Sequence, residues 1–383
     1  MNRSLPLRSP LALTVSTALA MAAGSLQAEM PLAGGELYAR GEVRVEYDSN
    51  IFASSSEVDD LVFRLTPGVA WVRDAGLVRA ELAGGVEFQQ FDEHTSENSS
   101  NPFGTLDLDW AREQGKSEGR VSASWRRLSF ANTSVNERTR VDNLALGGSV
   151  GHFVTEKLGY RLKANYLDQD YLTTGYSSVR KAWAGAEGRY QYSPKLEAVL
   201  GYTYRDSSTR QRFGRSSIDS TDHRFLAGLD GELLPKVGGR LAAGYVYRDF
   251  ATAARGSESG LVLETSLDWT PDADTTVTIF ANRDFDTSPV DQTVRSFETG
   301  IDFARRVSPK FTVSAGASYE HANYIGGATG RTDDVFVVRG RAAYQFTELI
   351  EGAVDLSNRA TDSTLAISDC NKLVIGASLR AQF

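Results

Sequence analysis

The chain has 383 residues, 41% hydrophobic and 23% charged, with 35 Gly, 10 Pro and one Cys, which excludes collagen-like, disulfide-rich and charge-dominated disordered classes. Its 49 acidic and 41 basic residues give a formal charge of −8, and no basic tract could track a phosphate backbone, so nucleic acid is not an expected partner. Beyond residue 28 no stretch approaches the roughly 20 apolar residues of a membrane helix, which leaves a membrane barrel open.

Residues 1–28 read as a signal peptide. Arg3 and Arg8 form a positive start, Leu11 to Ala23 is a short apolar run, and Ser25-Leu26-Gln27-Ala28 ends on a small residue suited to cleavage. Leu26 is less usual than Ala three residues before the cut, so cleavage after Ala22 is the alternative. Removing 28 of the 383 residues, two Arg and no acid among them, leaves 355 residues (29–383) with a formal charge of −10. The sole Cys370 cannot form an internal disulfide.

From there the chain alternates. Leu37, Ala39, Gly41, Val43, Val45 and Tyr47 are apolar or small, whereas Arg40, Glu42, Arg44, Glu46 and Asp48 between them are charged. A period of two is a strand with one wet and one dry face. The pattern returns from Val78 to Gln89, from Leu196 to Arg205 and from Leu373 to Phe383, and no segment shows a convincing helical period. Strands are expected to begin near residues 36, 60, 77, 103, 119, 142, 158, 179, 196, 221, 239, 260, 275, 292, 311, 334, 350 and 372, eighteen in all.

The connections alternate too. Arg73 to Gly76, Thr155 to Lys157, Ser193 to Lys195, Pro271 to Asp274, Ser308 to Lys310 and Thr347 to Leu349 are tight turns; Asp92 to Pro102, Ser207 to Ser220 and Ala360 to Asn371 are longer and polar. An even strand count with short turns on one side predicts an all-β fold, a transmembrane antiparallel barrel of the outer membrane of a Gram-negative bacterium with both termini in the periplasm. The aromatics agree. On the apolar face, Trp71, Trp110, Tyr160, Tyr190, Tyr192, Trp269, Phe303, Phe311, Tyr344, Phe346 and Phe383 fall near periplasmic strand ends. Tyr47, Phe88, Tyr166, Tyr202, Tyr204, Phe225, Tyr245, Tyr247, Tyr319 and Phe336 fall near outer ends. Two such girdles are expected where rings settle at both headgroup levels of the outer-membrane lipid. A soluble β-sandwich also alternates, but has little reason to sort aromatics to strand ends or to use strands of about ten residues or more.

The opposite face, expected to line the lumen, carries Arg40, Glu42, Arg44, Arg64, Arg79, Glu81, Arg126, Arg205, Arg224, Arg248, Glu264, Arg339, Arg341 and Arg380. Both signs are abundant. A lumen guiding a polar solute would use them collectively, while each residue taken singly is accounted for by a wet wall whose Arg and acid side chains pair across strands. Eighteen strands enclose an aqueous interior, and with the longest loop spanning roughly 14 residues no plug is expected.

Chemistry is sparse. His94, His152, His223 and His321 are scattered with no partner at metal-ligand spacing, so neither a metal nor another cofactor is expected, and no Ser-His-Asp constellation can be assembled. Asp48, Asn50, Asp59 and Asp60 could chelate Ca²⁺ from the first outer loop, but loop solvation is the favoured account of them. Trp183 points inward and could stack on a sugar ring or serve packing alone.

The run from Glu46 through Tyr47, Asp48 and Asn50 to Phe52, then Asp59-Asp60 and a strand containing Pro67-Gly68, resembles the opening of the putative β-barrel porin type-two family. The resemblance is specific in roughly the first 40 mature residues and looser to Phe383. It implies an outer-membrane barrel that completes the route of an exopolysaccharide across the outer membrane, with a periplasmic polysaccharide-export protein as partner. The aromatic terminus resembles the signal read by the barrel assembly machinery, which makes Phe383 the candidate assembly residue. The expected function is therefore a non-enzymatic conduit for polysaccharide. The alternatives are a general porin for small polar solutes, a barrel-borne enzyme and a structural barrel.

Overall fold

The computed structural model describes residues 30–110, 116–210, 219–252, 255–290, 292–326 and 330–383, so the signal-peptide reading of residues 1–28 lies outside the described residues. A short strand, β1 (Met30–Leu32), precedes β2 (Gly35–Asp48), β3 (Asp60–Ala75), β4 (Val78–Phe91), β5 (Ser99–Trp110), β6 (Ser117–Asn132) and β7 (Glu137–Phe153). There follow β8 (Leu158–Tyr171), β9 (Ser178–Ser193), β10 (Leu196–Arg210), β11 (Ser220–Leu234), β12 (Val237–Phe250) and β13 (Ser257–Asp272). The last six are β14 (Thr275–Thr287), β15 (Thr293–Ser308), β16 (Phe311–Ile325), β17 (Arg331–Thr347), β18 (Ile350–Ser363) and β19 (Cys370–Gln382). Each of β2 to β19 pairs antiparallel with its neighbour, and β19 returns to β2 through a register running from Val374↔Asp48 to Gln382↔Arg40. The result is a closed barrel of eighteen strands. With strands about 4.8 Å apart and tilted by roughly 40°, the backbone ring is about 35 Å across.

Closure pairs both edge strands and leaves the ring without a free edge in the membrane-spanning band, which the hydrocarbon layer demands. At the seam Ala39 and Phe383 exchange two backbone hydrogen bonds of 2.8 Å. Where β19 ends, β1 takes its place. It pairs Met30 with Leu37 and Leu32 with Gly35 through a turn whose Ala33 and Gly34 both have positive φ (51° and 75°), the twist a two-residue hairpin needs. That strand was not expected from sequence. The other expected strands all form, with some outer ends longer: β7 starts at Glu137 and β5 at Ser99, because hairpins that leave the membrane plane keep pairing with their own partner.

The expected dry face looks outward, with Leu200 (69%), Leu261 (65%) and Val354 (58%) among the exposed apolar side chains of the band, and Tyr192, Trp269 and Phe346 against Tyr47, Tyr245 and Phe336 exposed at its two rims. The Pro67-Gly68 pair sits in this wall. The β3–β4 ladder skips from Leu65↔Phe88 to Gly68↔Gly85 around a proline with no N–H to donate. A Cβ on Gly85 would lie 2.4 Å from the Pro67 carbonyl oxygen, so the strands approach too closely there for any side chain.

Candidate functional site: the lumen and its outer closure

Along the lower and middle wall the inward charges pair across strands. Glu46 accepts from Arg44 (2.7 Å) and from Arg64 (2.6 Å), and Arg44 also reaches Asp355 at 2.7 Å. Arg341 bridges Asp355 and Glu351 (2.9 and 3.1 Å), Arg339 meets Asp302 at 2.6 Å, and Arg380 meets Glu42 at 3.0 Å. Glu81 holds Arg40 (2.7 Å) with Arg79 more distant at 3.9 Å. Farther round, Glu264 lies 3.4 Å from Arg224 and 3.3 Å from Arg240. Arg126 is exposed where β6 parts from β5, in the wall of a cavity that also includes Glu42, Arg64 and Glu87. Paired charges of both signs make a hydrated, weakly selective surface.

Nearer the outer rim the molecule departs from an open pipe. The β5–β6 ladder ends at Phe103↔Arg126, one residue short of Pro102, and from Arg127 to Asn132 strand β6 pairs only with β7. Alternation would place Ser129 on the same lipid-facing side as Trp125. Instead Ser129 is 8% exposed and donates to Asn101 Oδ1 at 2.9 Å, on the inner wall. The hairpin has folded inward. Its turn closes through Asn136, at φ 59° in the left-handed region that Asn tolerates. The tip then meets the far side of the ring: Arg331 Nη1 donates to Ser134 O and Nη2 to Thr133 O, both at 2.9 Å, although β7 and β17 stand nearly opposite in the strand order. Asp333 clamps the same guanidinium at 2.6 Å, Tyr324 lies under it at 4.4 Å, and Asn136 Nδ2 donates to Ser368 Oγ at 2.8 Å.

A second hairpin folds in from the other side. The β13–β14 ladder stops at Leu263↔Arg283, and beyond it β14 pairs only with β15. Phe285 shares its alternation face with lipid-facing Ile279, yet it is 3% exposed and packs with Leu226, Ala242, Val246 and Val262 on the inner wall, beneath the Arg248 and Arg295 guanidinium groups. Charge fastens the tip. Asp284 receives Arg205 at 3.1 and 3.2 Å, Asp286 pairs with Lys181, the Asp286 carbonyl accepts from Arg248 at 3.0 Å, and the Pro289 carbonyl accepts from Ser177 N at 3.0 Å. Asp222, 1% exposed, holds Arg205 (2.6 Å) and Arg248 (2.7 Å) together.

The expectation of an aqueous interior without a plug is therefore corrected at the outer end. No long loop was needed: two hairpins whose strands peel off the preceding strand fold inward across the outer mouth and narrow it. Arg205 and Arg248, expected to line the lumen, bind Asp222 and hold the β14–β15 tip through Asp284 and the Asp286 carbonyl. The one sequence signal near it is Pro102 inside a strand, next to the point where β5 and β6 part; Phe285 reads from alternation as lipid-facing and gives none.

The family-like motif proves structural. Asp48 accepts from Asn50 N (3.0 Å) and from Lys372 Nζ (2.5 Å). The fully buried Asn50 donates to the carbonyls of Ser54 (2.7 Å) and Asn371 (3.1 Å). Asp60 gathers the backbone N–H groups of Asp92, Glu93 and His94, and His94 Nδ1 lies 2.9 Å from it. These carboxylates are occupied in tying the β2–β3 loop to the β18–β19 loop and to the β4 end, so they are not arranged as a Ca²⁺ cage. Tyr47 stays on the outer face with its hydroxyl 3.1 Å from Asp59. Among the described residues no group of three metal-ligating side chains converges. Ser117 Oγ lies 2.8 Å from His152 Nδ1, but on the lipid-facing register at the periplasmic rim.

Barrel closure, girdles and strand count together define an outer-membrane barrel of porin type. The chain belongs to the family described as Putative beta-barrel porin 2, whose model matches residues 37–383. No curated protein matches it. Among solved structures it is similar to OpdK of Pseudomonas aeruginosa crystallised with vanillate, at 13% identity and TM-score 0.48, over 91% of this chain and 99% of that one. It is also similar to the siderophore receptor PirA of Pseudomonas aeruginosa, at 12% identity and TM-score 0.45, over 91% of this chain and 80% of that one. The FrpB iron transporter from Neisseria meningitidis matches at 8% identity and TM-score 0.45, over 90% and 81%.

Proposed function

We propose that this barrel is an outer-membrane exit for an exopolysaccharide, closed at rest and opened in concert with a periplasmic polysaccharide-export protein. The observation that supports the reading is the pair of hairpins folded inward across the outer mouth of a charge-paired lumen. A general porin works by standing open, whereas a dedicated exit of this width must be shut when idle or the cell leaks small solutes. A hydrated polymer needs a wall offering many weak, exchangeable hydrogen bonds and no strong net field, and neighbouring Arg and acid groups cancel beyond a Debye length of about 8 Å. In this reading residues 1–28 are removed on export, residues 29–383 form the mature barrel, and the assembly machinery reads Phe383.

The test is a deletion strain scored for two properties together. Loss of surface polysaccharide with unchanged growth on limiting small nutrients is the expected result. Unchanged polymer with impaired small-solute uptake rejects export in favour of a general porin.

A further inference from the structure

Directly on the periplasmic side of the β14–β15 tip the inner wall holds a cavity of about 210 Å³, which shares Leu226 with the Phe285 cluster. The register explains its shape. Lys163, Gly185, Thr203 and Arg224 lie in one row across β8 to β11; Trp183 stands one row nearer the mouth, and Glu187 pairs with Gly201 one row nearer the periplasm. The missing side chain of Gly201 leaves room for a trough in the wall: a Cβ there would rest against Glu187 and the Ala186 carbonyl at 3.7–3.8 Å without clash, whereas at Gly185 the Thr203 hydroxyl, 2.7 Å from such a Cβ, already takes the space. The trough is bordered by an indole on one side and by charged groups elsewhere. Glu187 lies 2.6 Å from Arg240, 3.4 Å from Arg161 and 3.6 Å from Lys163, and Arg224, whose buried Nε has no hydrogen-bond acceptor, stands 3.4 Å from Glu264 and 3.9 Å from Asp284 of the β14–β15 tip.

An aromatic face beside carboxylate, ammonium and guanidinium groups is a combination suited to one class of ligand. A pyranose ring presents a C–H face that packs on an indole, and a rim of hydroxyl groups that donate to carboxylates and accept from cations. The volume falls below the roughly 300–1,000 Å³ of sites for larger ligands and suits a single sugar unit. We propose that Trp183, with Glu187, Lys163 and Arg224, forms a monosaccharide subsite that holds the leading residues of a polysaccharide just below the closed mouth. This rests on the export reading above and names where the polymer is held. Weak, single-ring binding is the required behaviour, because a chain that must slide cannot be gripped along its length.

The experiment is calorimetric titration of the purified full-length barrel in detergent with maltohexaose, cellohexaose and a galacturonic acid hexamer. Saturable binding of at least one is expected. It should weaken at least tenfold in Trp183→Ala, about 1.4 kcal/mol and near the upper end of what one aromatic contact contributes. It should weaken likewise in Gly201→Leu, which fills the trough, and change little in Trp183→Phe. Heat-modifiable mobility on gels confirms that each variant is a folded barrel. Absence of binding to all three by the wild-type barrel, or wild-type affinity in both Trp183→Ala and Gly201→Leu, overturns the subsite. The export reading fails separately, if the deletion strain keeps its surface polymer. A deletion phenotype rescued fully by Trp183→Ala leaves export standing and removes the subsite.

Discussion

Replacing Arg331 by Ala should unlatch the β6–β7 hairpin. The guanidinium makes two hydrogen bonds of 2.9 Å to the carbonyls of Thr133 and Ser134 while Asp333 holds it in place. A hydrogen bond involving a charged group contributes roughly 1.5–3 kcal/mol net, and the two to Thr133 and Ser134 are what an open hairpin gives up, since Asp333 lies on the same strand as Arg331. The inward-folded arrangement should therefore lose about 3–6 kcal/mol relative to an open one. At about 1.4 kcal/mol per factor of ten, the open fraction rises by about two to four orders of magnitude until it saturates. Arg331→Lys keeps the charge beside Asp333, but a single ammonium cannot reproduce the planar fork that serves two carbonyls, so an intermediate effect is expected. The assay is single-channel recording in planar bilayers: rare openings for the wild type, frequent ones for Arg331→Ala. The β14–β15 tip remains in place in that variant, so the pore is partial, and adding Asp222→Ala to release Arg205 and Arg248 should widen it. If folded Arg331→Ala barrels open no more often than wild type, the hairpin is not a latch and the reasoning fails.

Two further outcomes test the membrane register and the seam. Val43→Arg, on the lipid side and flanked by Leu65 and Leu379, should cost about 2–4 kcal/mol near the midplane, whereas Glu42→Arg trades the 3.0 Å pair with Arg380 for repulsion inside a wet lumen and should be much milder. Equal loss of folded barrel from both, read by heat-modifiable mobility, would contradict the assigned faces. Deleting Phe383 removes both 2.8 Å backbone bonds to Ala39 at the seam and should sharply lower outer-membrane levels, while deletions within Thr361 to Ser368 should spare them; immunoblots of membrane fractions decide it, normal levels without Phe383 being the adverse result.

The strand count, the sidedness and the facing of nearly every barrel position were legible in the sequence, because they depend on alternation, turn length and aromatic placement, all of which are local. Val43 faces lipid and Glu42 faces the lumen whatever their neighbours do, since the pleat and the two solvents decide it. The family-like motif was legible as a motif but not as a seam: Asp48 and Asn50 lie more than 300 positions from Lys372 and Asn371, their partners, and only closure of the ring brings them together. The mouth was decided wholly by tertiary contacts. Ser129 and Phe285 read from alternation as lipid-facing, and they are not, because their hairpins leave the ladder at Phe103 and Leu263 and bury those side chains against the inner wall. Arg205 and Arg331 look like any other lumenal arginine until the ring sets Asp284 and the Thr133 carbonyl in front of them. Alternation describes a strand relative to its own sheet. It carries no information about where two distant hairpins lean across an opening to touch the wall beyond it.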